Sequence, residues 1–142
     1  MTEDERRAIE LDCERLIKRY VNLNDAHDWP AVAALYAEDG RMVRPSGGPA
    51  VAGREAILAG FLARAPRAQR HTISNIVVDV VDADSATAFS VIVLYQGEPA
   101  SEGELPEMSA SSPLVGWYRD RLVRTADGWR FAERVGGLDF KP

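Results

Sequence analysis

The sequence predicts an α+β domain, with helices in its N-terminal half and long strands in the rest. Three observations predict it. Apolar residues recur at helical spacing from Glu3 to about Asn24. Two further short segments carry helix starts and stops. Beyond residue 72 the chain turns to β-branched residues broken by hairpin-type turns. At 142 residues it is near the usual size of one domain, read as 1–142, with no internal repeat or dividing linker.

In the first helix, Ile9, Cys13, Leu16, Ile17 and Tyr20 form one apolar stripe. Asp28 caps a second helix, and Pro30 suits its first turn, where a missing N–H costs nothing. Val32, Leu35 and Tyr36 give that helix its inner face and Asp39-Gly40 ends it. A short strand, Arg41–Arg44, and a glycine-rich flexible loop, Pro45–Gly53, come next. The third helix runs from Arg54 to about Ala65, with Ile57, Phe61 and Leu62 inward and Pro66 as its stop. Four strands complete the chain: Thr72–Asp82 and Ala86–Gln96 across Asp82-Ala83-Asp84, then Leu114–Thr125 and Trp129–Gly136 across Ala126-Asp127-Gly128. Between the pairs, Gly97–Pro113 is long enough to be a lid or pocket rim.

Composition excludes several classes. The net charge is −5 and no dense basic run appears, so nucleic acid and anionic membranes are poor partners. Arg64, Arg67 and Arg70 are spaced apart and read as a solvated helix end. The single cysteine, Cys13, lies on the first helix's apolar stripe and reads as a buried thiol. The N-terminus lacks a signal peptide's apolar core, and no run approaches the roughly 20 apolar residues of a membrane span, so the cytoplasm is the expected location. No metal is expected, because His27 and His71 lack ligand spacing. No cofactor is expected either, since the loop glycines match neither phosphate nor dinucleotide motifs.

The central strands are apolar on both faces. Ile76, Val78 and Val80 alternate with Val77 and Val81, while Phe89, Val91 and Val93 alternate with Ile92 and Leu94. A sheet with one wet face shows a polar half. The helices cover one side, and a second copy of the sheet is the economical cover for the other. A homodimer through the outer sheet face is therefore expected.

Two places concentrate chemistry: Asn24-Asp25 at the end of the first helix, and His71 at the opening of an apolar strand. An Asp–His pair in an apolar cavity is a proton-transfer device, because a carboxylate on one ring nitrogen fixes the tautomer and makes the other more basic. Along the third long strand Gly116, Tyr118 and Asp120 alternate with Trp117, Arg119 and Arg121, so one set faces inward. A Tyr118 hydroxyl there can donate to a developing oxyanion. Asp120 reads equally as a second acid or base and as the partner of an arginine. Asn24, Trp29, Tyr36, Arg44 and Phe61 are candidate walls, with Arg44 placed to hold an enolate or carboxylate at the mouth. His27, in a polar turn, reads as solvent-exposed.

The chain resembles the SnoaL-like branch of the nuclear-transport-factor-2-like superfamily over nearly its whole length. The residues that carry the likeness are Asp28-Trp29, Leu35-Tyr36-Ala37-Glu38-Asp39-Gly40, Gly53-Arg54-Glu55-Ala56-Ile57, His71 with Asn75, and Asp127-Gly128-Trp129-Arg130-Phe131. The resemblance implies a cone-shaped, cystatin-like fold in which a curved mixed sheet wraps three helices around a cavity. In acid–base residues the chain is similar to scytalone dehydratase and the hexachlorocyclohexane dehydrochlorinases, which implies catalytic roles for Asp25 and His71. It departs from the dehydratase at Asn24, where that enzyme has tyrosine, and around Leu94-Tyr95-Gln96, where that enzyme has a second histidine.

The function expected from this combination is a cofactor-independent lyase or isomerase of dehydratase, dehydrohalogenase or cyclase type. Its substrate would be a small apolar molecule, aromatic or polyketide-like in class. The alternative is a non-catalytic module of the same fold that binds a small hydrophobe or serves assembly. A third reading is a partner subunit resembling the small subunits of ring-hydroxylating dioxygenases.

Overall fold

A computed structural model describes residues 1–142. In chain order the elements are α1 (Glu3–Asp25), α2 (Trp29–Ala33), β1 (Tyr36–Val43), β2 (Val51–Ala52), α3 (Arg54–Leu62), β3 (Ala68–Asp82), β4 (Ser85–Gly97), β5 (Leu114–Thr125) and β6 (Gly128–Leu138). The six strands form one open sheet in the order β2-β1-β6-β5-β4-β3, parallel only between β1 and β6.

Helix α1 begins with a reciprocal cap. Thr2 N–H donates to Glu5 Oε2 at 2.6 Å, and Glu5 N–H donates to Thr2 Oγ1 at 3.1 Å. Its apolar stripe buries Ile9, Cys13, Leu16, Ile17, Tyr20 and Val21 against the sheet, chiefly along β3 and β6. Each fully buried Leu or Ile side chain contributes roughly 1.5–3 kcal/mol. Cys13 is fully buried, and burial pushes its thiol up to about 12. A thiol raised on folding favours the fold below the ordinary value of 9.0, and that contribution fades as pH climbs through 12. Iodoacetamide at pH 8 should therefore leave Cys13 unmodified in the native protein and alkylate it in denaturant. Rapid native labelling would contradict the packing of α1.

The region after α1 departs from the sequence reading. Asp28 caps α2 through Ala31 N–H at 3.2 Å, but the helix lasts five residues. Tyr36, expected on a helix, opens β1 instead, because Phe131 N–H reaches Leu35 O at 2.9 Å and pulls the chain into the sheet. Tertiary pairing here overrides local helix preference. The expected flexible loop also contributes β2, with Met42 opposite Val51 and Arg41 opposite Ala52. Helix α3 ends at Leu62 rather than Ala65. Strand β3 starts at Ala68, which puts His71 inside the strand, one pair from Thr72 and Val93.

Strand alternation builds the inner face. Ala86, Ala88, Ser90 and Ile92 of β4 and Gly116, Tyr118, Asp120 and Leu122 of β5 are buried. The opposite face carries Val77, Phe89, Val91, Val93, Val115 and Trp117, and within the single chain it stays partly open: Val77 is 57% and Phe89 39% exposed. Gly137 makes room on this side, since a Cβ there would lie 2.2 Å from the Trp117 ring. No helix is long and apolar enough to cross a membrane.

Candidate active site

The last turn of α1 is fastened to β3 by side chains. The Gln69 amide donates to Asn24 O at 2.8 Å and to Asn24 Oδ1 at 2.9 Å. That clamp sets Asp25, the final residue of α1, beside His71. Asp25 Oδ2 accepts the His71 main-chain N–H at 2.7 Å, and Oδ1 lies 2.5 Å from His71 Nδ1. Both side chains are nearly sealed, at 8% exposure for His71 and 4% for Asp25. A carboxylate at a helix C-terminus faces the negative end of the macrodipole, and the last turn of α1 has no basic residue to offset it. The two donors from His71 supply that compensation. With Nδ1 donating to the carboxylate, Nε2 carries the lone pair and has no hydrogen-bond partner in the protein.

His71 opens onto a cavity of about 720 Å³ between the helices and the inner sheet face. Asn24, Trp29, Arg44 and Tyr118, all candidates from the sequence, also line it. Asp25 stands behind His71 rather than in the wall. Tyr36 and Phe61 require correction as walls, because both are fully buried and absent from the lining. Tyr36 accepts or donates to Tyr20 Oη at 3.0 Å in the core, and Phe61 stacks beneath Trp29 with ring centroids 5.2 Å apart.

The inner face of β5 and β6 forms the other side. Tyr118 is buried, and burial raises its hydroxyl above the ordinary value of 10.0, so it stays protonated as a donor. Asp120 takes the structural of its two expected roles: it is 3% exposed and held bidentately by Arg134, Nε to Oδ1 at 2.8 Å and Nη2 to Oδ2 at 2.9 Å. Burial raises its carboxyl, with Arg134 pulling it back. The guanidinium is packed among rings, with its Cζ 3.9 Å from the Tyr118 centroid and 4.4 Å from that of Tyr20. Burial opposes its charge, but Asp120 outweighs that and holds it above its ordinary value.

Several contributors were not visible in the sequence. Simple alternation places Arg134 on the opposite face from Phe131, yet both are fully buried. The cause is an extra residue in β6, where Arg121 pairs with Glu133 but the adjacent Leu122 pairs with Phe131. Arg67, read as part of a solvated helix end, is exposed on the cavity rim, but Arg64 is half-buried in the lining and lies 4.4 Å over the Phe61 ring. His27 is exposed as expected but also stands on the cavity rim, stacked on Trp29 at 5.3 Å. Ser111 brings the long β4–β5 connection to the same rim. No three His, Cys, Asp or Glu side chains gather as a metal-holding group.

Comparison with known proteins places this architecture. A scytalone dehydratase-like protein from Novosphingobium aromaticivorans superposes with a TM-score of 0.79 at 24% identity, covering 99% of this chain and 91% of its own. An NTF2-like protein with a cystatin-like fold from the same organism gives 0.70 at 27% identity, over 90% and 80% of the two chains. ActVI-ORFA from Streptomyces coelicolor gives 0.70 at 25% identity, over 91% and 96%. A search of the curated proteins finds no match. The fold is thus the NTF2-like, cystatin-like α+β fold. The SnoaL-like domain model matches residues 5–135, and with nearly the whole chain accounted for, this protein belongs to the SnoaL-like family.

Proposed function

We propose that the protein is a cofactor-independent lyase or isomerase in which His71 is the general base and Asp25 orients it. The observation that carries this reading is the double contact of Asp25 with the His71 ring and main chain, which leaves Nε2 unpartnered on a residue that lines the cavity. Nε2 removes a proton from carbon beside a carbonyl, and Asp25 steadies the imidazolium. The electron pair moves into an enolate, whose oxygen accepts one hydrogen bond from the Tyr118 hydroxyl. Collapse of the enolate expels a β-hydroxyl, which takes the proton from the His71 imidazolium and leaves as water, or a halide, after which the imidazolium loses its proton to solvent. Either way the conjugated product forms and the base is regenerated. In the isomerase variant the same imidazolium returns its proton to another carbon. The substrate is a small molecule of aromatic or polyketide-like class. The family's enzymes and the scytalone dehydratase-like neighbour make such chemistry the natural candidate, since the fold by itself does not choose a reaction.

Aromatic β-hydroxy ketones and β,γ-unsaturated ketones test the proposal, with the growth of conjugated-enone absorbance as readout. Turnover that falls away with His71→Ala supports it. Turnover insensitive to that change removes it and leaves the binding-module alternative.

The open outer face supports a second element of the proposal, a homodimer. Phe89, Val91, Val93 and Trp117 form an apolar band on paired strands, with the Arg119 guanidinium 4.8 Å over the Trp117 ring. Sedimentation equilibrium should give twice the mass of the chain. Val77→Lys with Phe89→Glu should return the monomer, and a wild-type monomer at micromolar concentration would count against the proposal.

A further inference from the structure

The cavity has a sign. Arg44, Arg64, Arg67 and Arg134 line it, and no aspartate or glutamate does, although the chain as a whole carries a net charge of −5. Arg44, Arg64 and Arg67 make no ion pair with any carboxylate: the Arg44 Nη2 reaches only Gly60 O at 3.4 Å, and Arg67 Nη1 only Gln96 Oε1 at 3.3 Å. Arg134 spends two of its nitrogens on Asp120, and its Nη1 is left buried with no partner. Arg44 Nε is likewise buried and unpartnered. Unsatisfied buried donors are costly, and like charges brought together are more so. Arg64 registers that cost, since burial first and the neighbouring Arg44 second push its guanidinium below its ordinary value.

Such an arrangement is satisfied when an anion arrives. We propose that the cavity selects an acidic ligand, a flat aromatic or polyketide-like molecule whose carboxylate or ionised enol is received by Arg44 and Arg64, with the buried Arg134 adding its positive charge to that wall. Arginine suits this task because its planar fork pairs with two oxygens at once. Trp29, held between the stacked rings of His27 and Phe61 and lining the cavity beside Arg64, adds aromatic surface to the wall that the ring system would meet. The proposal narrows the expected apolar substrate to an acid. It rests on the cavity being the ligand site named above, and not on proton transfer at His71.

The experiment is a calorimetric titration with 2-naphthoate, its neutral isostere 2-naphthamide and the cation 2-naphthylmethylammonium at low and high salt. At low salt the acid should bind about ten-fold or more tightly than the amide, since a charge-assisted bidentate contact exceeds a neutral one by at least that much. The cation should show no binding, and salt should weaken the acid alone. Arg44→Gln with Arg64→Gln should bring acid and amide level, whereas Arg44→Lys with Arg64→Lys, which keeps both charges, should retain part of the preference. Unfolding midpoints of each variant separate lost selection from lost fold. His71→Ala should keep the preference whatever it does to turnover, which separates failure of this proposal from failure of the catalytic one. Equal affinity for acid and amide in the wild-type protein, or no binding of the acid, overturns it.

Discussion

Replacing His71 with alanine should lower turnover by about 10²–10⁴-fold in a chain that still folds, with a lower unfolding midpoint because the buried Asp25 keeps only the main-chain donor. The loss is large because His71 is the one imidazole in the cavity wall whose Nδ1 is held by a carboxylate behind it, which leaves Nε2 free to take the proton. The fold should survive because the ring faces the cavity and β3 keeps its pairing with β4 at Leu94 through the backbone. Asp25→Asn should also slow the reaction, by about 10²-fold or more, since an amide can present its NH₂ to Nδ1 and favour the wrong tautomer. The signature separating the two is recoverable by small bases: added imidazole should restore part of the alanine variant's rate and none of the asparagine variant's. Full activity in either single variant would mean that the proton is moved elsewhere.

The second large effect is on stability. Asp120→Ala should destabilise the fold by about 3–5 kcal/mol, because it strands the fully buried Arg134 without its counter-charge. For a domain of this size that is a fall of roughly 10–15 °C in the unfolding midpoint. The sign for Asp120 itself runs the other way. Burial raises its carboxyl, so its favourable contribution is complete below the ordinary 3.8 and is lost as pH rises through the folded value. Ionised in the native protein, it is held there by the arginine and not by its own preference. Asp120→Leu combined with Arg134→Met should therefore recover most of the loss in urea unfolding, while the single changes do not. A loss near zero for Asp120→Ala would show that water reaches the pair.

The sequence disclosed the architecture where local pattern and global fold agree. The α1 stripe, the Asp28 cap and the two hairpins all follow from spacing and turn chemistry, and they recur in the structure. Tyr36 was misplaced because its strand is created by a distant partner, Phe131, about which residues 29–37 contain no information. At the site, Asp25 and His71 stand out by position, at the end of the first helix and the opening of an apolar strand, and likeness to related enzymes is what pairs them. Forty-six positions separate them, and the Gln69 clamp that joins their elements is made by an unremarkable polar residue. Arg134 was hidden by one surplus residue in β6 that reverses the alternation. Arg64 was hidden by its neighbours, since a charged residue after a helix reads as solvated until Trp29 and Phe61 are seen beside it.

One carboxylate at the end of α1 holds both the peptide and the ring of the same histidine. Swivelling the imidazole gives up one of the two bonds by which Asp25 ties β3 to the helix end. Its alignment is settled once, during folding, instead of being searched for at every encounter with a ligand. Changes far from the ring that let the helix end fray, such as loss of the Gln69 tether, should then show up as a poorly aimed base before they register as a weaker fold.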